Sequence, residues 1–218
     1  MKAKTKKVAV YLLFALLAVV GLGLEAILAY MIEPLIYGAK MQEWDTMQYI
    51  LHWVFTCVLW GLTTWTIIKL SRNKTGFDIF QKSSKMALWQ WIIIAVIVFL
   101  NLITSYLDWH GFKVIKEFCV NGPVKFIFQY IYYCFEVALI SLILVFGQKA
   151  LEQWIGYEKI PYGGIIIALT WGIGHFFTKD FATGMMATIA GLAFGSMYLL
   201  TNRNTKTTYI ALWLMFVL

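Results

Sequence analysis

An all-helical, polytopic membrane bundle is the fold class this chain predicts, and three observations carry that reading. Hydrophobic residues make up 61% of it and charged residues only 13%, about half the roughly 25% charged share of a soluble domain. The mean hydropathy is +0.74. The apolar residues also come in long continuous runs. A run of about 20 residues matches a helix across about 30 Å of hydrocarbon, whereas a membrane β-barrel reads as short alternating segments. At 218 residues the chain has room for one compact bundle and no sizeable soluble domain. The expected architecture is six full spans and a short seventh helix at the C-terminus.

The first span covers residues 8–37, after the basic residues Lys2, Lys4, Lys6 and Lys7. Its apolar run is too long for the core of a signal peptide and lacks a convincing small-residue cleavage site, so it reads as a retained anchor. Neither end carries a lipidation motif, since the chain starts Met1-Lys2 and lacks a C-terminal prenylation cysteine. Spans two, three and four cover residues 47–70, 86–107 and 126–146. Spans five and six, 162–177 and 182–201, are separated only by Thr178-Lys179-Asp180-Phe181. That short link predicts a tight antiparallel hairpin, with Asp180 or Thr183 capping the start of span six. Its helices carry Gly163, Gly164, Gly172 and Gly174 on one side and Gly184, Ala187, Gly191 and Gly195 on the other. Gly191-x-x-x-Gly195 is a small-residue pair that lets two helix backbones approach closely. The last run, 207–218, would extend only about 18 Å as a helix. It fits a half-span, a tilted helix inside the bundle, or an end that draws its carboxylate into a polar pocket.

Charge sets the expected orientation. Thirteen of the eighteen basic residues flank the ends on the N-terminal side of the bundle, so the positive-inside rule places the N-terminus in the cytoplasm. The net charge of +7 is thereby a topology signal. The basic residues border spans and form no folded basic face, which argues against a nucleic-acid partner. The bilayer is the implied partner, and the plasma membrane of a bacterium the implied location. Cys57 and Cys134 fall in spans and Cys119 in an outer loop, with no Cys-x-x-Cys pair, so neither a metal site nor a redox motif is expected. No cofactor is implied. The 10 Trp, 12 Tyr and 16 Phe cluster near span ends, as interfacial anchors do.

Ionisable residues in hydrocarbon cost free energy and tend to face a bundle interior or a hydrated cavity. His175, near the end of span five, is the leading site candidate, and Glu136, in the middle of span four, is the second. Gln129 and Tyr132 or Tyr133 share a similar face of span four. Glu25, Glu33, His52 and Asn101 lie in the middle or outer half of their spans. These groups are expected to converge on one polar cavity with little lipid exposure. A carboxylate can act as a general base toward water, and an imidazole can stabilise a developing oxyanion. A Glu–His pair also fits a proton relay or a structural hydrogen bond. Glu136 lies roughly 15 Å from the outer end of its span and His175 roughly 5 Å. That difference of about 10 Å along the normal predicts no tight dyad, only a connection through a third group or water.

Over about the last 90 residues the chain resembles the CAAX protease and bacteriocin-processing (CPBP, or Abi) family of intramembrane glutamic endopeptidases. Trp171-x-x-x-His175 resembles the family's second motif, an aromatic residue followed four positions later by histidine. Gly191-Leu-Ala-Phe-Gly195-Ser-Met-Tyr198 resembles the glycine-spaced helix that follows it. Glu136 stands where the family has a double glutamate and then an arginine. Here its neighbours are Phe135 and Val137, and no arginine follows within the span. No histidine follows His175 either, so the family's third motif has no counterpart. The resemblance implies three N-terminal spans (residues 1–125) and a CPBP-like core (126–218). It implies an intramembrane endopeptidase in which Glu136 and His175 are catalytic and the substrate is a membrane-associated peptide or protein. The alternative is an inactive member acting as a bacteriocin-immunity or regulatory binding protein.

Overall fold

The structure is a computed structural model that describes residues 2–218, with side chains from Thr5 onward. Met1 and the side chains of Lys2 and Lys4, part of the basic N-terminal stretch, lie outside the described residues. The described residues contain helices and no strand. Five helical segments are long and apolar enough to cross a membrane: Thr5–Tyr37, Thr46–Thr75, Leu88–Asp108, Lys113–Ile155 and Phe181–Leu200. The segment read as span five, Tyr162–Thr178, is a shorter apolar helix.

Helix α1 (Lys2–Ile27) continues through a π-helical turn (Leu28–Ile32) into α2 (Glu33–Tyr37). Helix α3 (Thr46–Thr75) starts at an N-cap, where Asp45 accepts the Gln48 amide at 2.9 Å and Gln48 accepts the Asp45 amide at 2.8 Å. It stops at Gly76, whose φ of 68° is strained for other residues. Helix α4 is Leu88–Asp108 and α5 is Lys113–Ile155, 43 residues long. Gly122, at φ 69°, and Pro123 divide α5 into an outer piece and the long central helix. Cys119, expected in a loop, sits on that outer piece and is exposed. The central helix also runs on beyond the predicted span to Ile155, because Gln148 to Trp154 continue it as a helix before Gly156 ends it at φ 84°.

Helices α6 (Tyr162–Ile167) and α7 (Ile173–Thr178) are joined by a second π-helical turn, Ala168–Gly172. Helix α8 is Phe181–Leu200 and α9 is Thr205–Val217. The predicted hairpin of α6–α7 against α8 is present and interlocks at backbone distance. A Cβ on Gly164 would stand 2.7 Å from the Gly191 carbonyl oxygen, and one on Gly195 would stand 2.6 Å from the Gly164 Cα. Gly174 is the exception, with nothing within 4 Å of its Cβ position. Of the two cap candidates it is Asp180 that accepts the Thr183 amide, at 2.9 Å.

The central helix α5 is the axis of the bundle. Residues from Val137 through Phe146 are buried almost without break, covered by α1 on one side, by α6 on another and by α9 on a third. Tyr11 of α1 stacks on Phe146, and Phe14 meets it at a tilt. At the end of the bundle nearest the N-terminus, buried amides and charges are tied together. Gln148 accepts the Gly163 amide at 2.9 Å and donates to Glu152 and to the Ile160 carbonyl. Arg203 donates to Glu152 at 2.6 Å and to the Glu158 carbonyl. Gln90 donates to the Leu200 carbonyl and to Asn202.

Candidate functional site

The polar side chains of the opposite half form two connected groups around the upper part of α5. The first is centred on Trp171. Its indole N–H donates to Glu136 Oε1 at 3.1 Å. The Nδ1 of His175 bonds the Trp171 carbonyl oxygen at 2.7 Å, and the two rings meet edge to face with centroids 4.4 Å apart. Glu136 and His175 therefore share a neighbour and make no bond to each other. The third group anticipated from their difference in depth is the aromatic residue of the Trp171-x-x-x-His175 pattern itself. The π-helical turn contains Trp171, and such turns are frequent at functional sites because they re-aim side chains without ending a helix. Gly172 in the same turn lets α8 approach, a Cβ there lying 2.7 Å from the Thr188 Cα. The other faces of the indole are apolar: the Phe194 ring lies 6.1 Å away and the Phe216 ring of α9 5.5 Å away.

The second group is centred on His52. Its Nδ1 lies 2.6 Å from Glu33 Oε2 and its Nε2 lies 3.6 Å from Glu25 Oε1. His52 is 0% and Glu33 1% exposed, as expected for ionisable groups turned away from lipid. Glu25 Oε1 accepts the Tyr132 hydroxyl at 2.7 Å. Tyr132 precedes Glu136 by one turn of α5, and Glu25 lies within electrostatic reach of both Glu136 and His175. Of the groups expected to converge, Glu25, Glu33, His52, Tyr132 and Glu136 thus follow one another along one stretch, with His175 joined through Trp171. Asn101 is apart, donating to the Met215 carbonyl at 2.9 Å.

The first π-helical turn explains how α1 and α2 supply two carboxylates to one imidazole. Positions seven apart nearly eclipse on an α-helix, at 3.6 residues per turn, and positions eight apart do not. One extra residue between Glu25 and Glu33 restores the common face. Helical periodicity alone does not place them together.

Gln129 and Tyr133 share a face of α5, Gln129 donating to the Tyr133 hydroxyl at 2.7 Å, and that face turns to a different carboxylate from Glu136. They bond Glu117 on the outer piece of α5, together with Tyr130, at 3.1, 2.7 and 2.9 Å. Lys113 lies over the Tyr133 ring at 5.1 Å and donates to the Phe216 carbonyl. The bend at Gly122 folds the outer piece back so that Glu117 reaches residues 12 to 16 positions on, which sequence spacing could not reveal. Glu117 is a buried carboxylate fully supplied with donors, a structural tie across the bend.

Among the described residues no group of three or more His, Cys, Asp or Glu has the geometry to hold a metal ion. Next to the site, α3 and α5 border an apolar groove of about 380 Å³ whose wall includes Trp53, Cys57, Gly61, Ile131 and Phe135. No family model, no curated protein and no solved structure matches this chain.

Proposed function

We propose that this chain is a CPBP-like membrane protein of the bacterial plasma membrane, with its N-terminus in the cytoplasm. On this reading it binds a membrane-associated peptide or protein at the Glu136–Trp171–His175 site without cleaving it, as an immunity or regulatory protein would. Six spans and a seventh short helix, with a CPBP-like core from residue 126, go with that reading. The observation that carries it is the pairing at Trp171. A glutamate that activates water needs that water within hydrogen-bond reach and an electrophilic partner across from it. Here the indole N–H bonds Glu136 Oε1, and the His175 Nδ1 is engaged by a backbone carbonyl. The helix that follows α8 presents Phe216 to the indole, and no histidine follows His175 in the chain.

One observation favours the second reading, an intramembrane endopeptidase. Glu25, held by Tyr132 beside Glu136, supplies a second carboxylate from α1 where the family's double glutamate is reduced to one.

The test is a comparison of membrane and secreted peptides from cells lacking the protein, rescued with wild type or with Glu136→Gln/His175→Ala. Identical peptide patterns with both proteins present and folded support the binding reading. Products that need wild type and vanish with the double variant overturn it and establish the peptidase.

A further inference from the structure

We propose that Glu33, His52 and Glu25 form a proton-binding relay that leads from the far end of the bundle toward Glu136. The relay stands under either reading of the Trp171 site. It begins from geometry: an imidazole with no exposed surface has one carboxylate on each ring nitrogen, at 2.6 Å and 3.6 Å. The groups facing it are Glu33 of α2, Glu25 of α1 and, beyond Glu25, the Tyr132 hydroxyl of α5. The Trp44 ring covers it at 5.5 Å. Among the described residues no lysine or arginine forms an ion pair with any of the three. Glu33 is buried with the imidazole, whereas the Glu25 side chain is 32% exposed. An ionised Glu33 beside a neutral imidazole would leave a buried negative charge without a cation, which is costly. Protons are what the arrangement is built to hold.

Two further atoms point the same way. Glu33 Oε1 and His52 Nε2 are buried and make no hydrogen bond. A purely structural buried network is expected to be satisfied throughout. One is the second oxygen of the carboxylate that contacts Nδ1 at 2.6 Å, and the other is the ring nitrogen that Glu25 approaches at 3.6 Å.

The transfer balances with two protons shared among the three groups. A protonated Glu33 gives its proton to His52 Nδ1, forming an imidazolium between two carboxylates. Nε2 then gives its proton to Glu25. One proton has moved from Glu33 to Glu25, and the imidazole is neutral before and after. From Glu25 the path continues past the Tyr132 hydroxyl, one turn along α5 from Glu136.

The experiment is nitrogen NMR of the full chain in lipid nanodiscs, labelled at the histidine ring nitrogens and carrying His110→Gln to remove the loop histidine. His52 is assigned by its loss in His52→Gln. The relay predicts that at pH 7 both His52 ring nitrogens bear protons or exchange them between two protonated sites. It also predicts that Glu33→Gln and Glu25→Gln each convert His52 to a single neutral tautomer. A wild-type His52 with one permanently unprotonated ring nitrogen from pH 5 to 9 overturns the proposal. That reading is made on the wild-type triad, so it holds even if a glutamate variant fails to fold.

Discussion

The two ends of the bundle both bury polar side chains, and they use them in opposite ways. Near the N-terminus, Gln148, Glu152 and Arg203 bond one another and the backbone of Glu158, Ile160 and Gly163, while Gln90 bonds the Leu200 carbonyl and Asn202. The unpartnered buried atoms of that end, in Ser83 and Tyr162, are neutral hydroxyls. At the far end the unpartnered atoms include, beside the Thr56 hydroxyl one turn along α3, a carboxylate oxygen of Glu33 and an imidazole nitrogen of His52. Leaving ionisable atoms unpaired in a buried site costs far more than leaving a hydroxyl. The first end is a clasp that holds helices together. The second retains binding capacity that stability alone does not require.

The largest effect that sharpens this contrast lies in the hairpin contact beside the clasp. Gly164→Leu should cost more than about 3 kcal/mol or abolish folding, because the new side chain meets backbone on α8 and overpacked cores rarely adapt to that. Gly174→Ala, with open space around it, should be neutral or stabilising by up to about 1 kcal/mol. Thermal unfolding in detergent separates the two, and equal melting of both variants would remove the interlocking hairpin from the account. Next in size, Gln148→Leu should destabilise by about 1–3 kcal/mol, since it strips partners from the Gly163 amide and Glu152 while keeping the volume. Denaturant titration measures it. Glu136→Gln keeps the volume and an acceptor for the Trp171 indole N–H and should cost less than about 1 kcal/mol. A loss as large as that of Gln148→Leu would make the Trp171 contact part of a second clasp.

The smallest effect is at the turn between α7 and α8. The Thr183 hydroxyl, and after it the Thr183 amide, hold the exposed Asp180 carboxyl below its ordinary value. A group depressed in the folded state contributes above its unfolded value and loses that contribution as pH falls through the folded one. The protection of the Thr183 amide, its exchange rate relative to that of an unstructured amide at the same pH, should therefore hold at neutral pH and fall only in acid below the usual carboxylate range. In Asp180→Asn the same amide should show little such acid response.

Much of this was legible in the chain. Run length and charge exposed the helical bundle, and the four-residue link with its glycines exposed the hairpin. Trp171 and His175 were visible as a pair because four positions are one helical turn. The difference in depth between Glu136 and His175 was legible too, and it ruled out a dyad. The Glu25–His52–Glu33 arrangement was visible only as a set of intramembrane polar residues. Its register depends on one extra residue in a π-helical turn, which leaves no trace in a 3.6-residue pattern. Glu117 was hidden for a different reason. Its partners lie across the bend at Gly122 and Pro123, so no local spacing connects them.

The measurement that tests the contrast most directly is the melting temperature and folded yield of Glu136→Gln/His175→Ala beside those of Gln148→Leu. The account predicts near wild-type yield and melting for the double variant and a clear loss for Gln148→Leu. The reverse order would contradict it, making the Trp171 site the scaffold and the clasp dispensable.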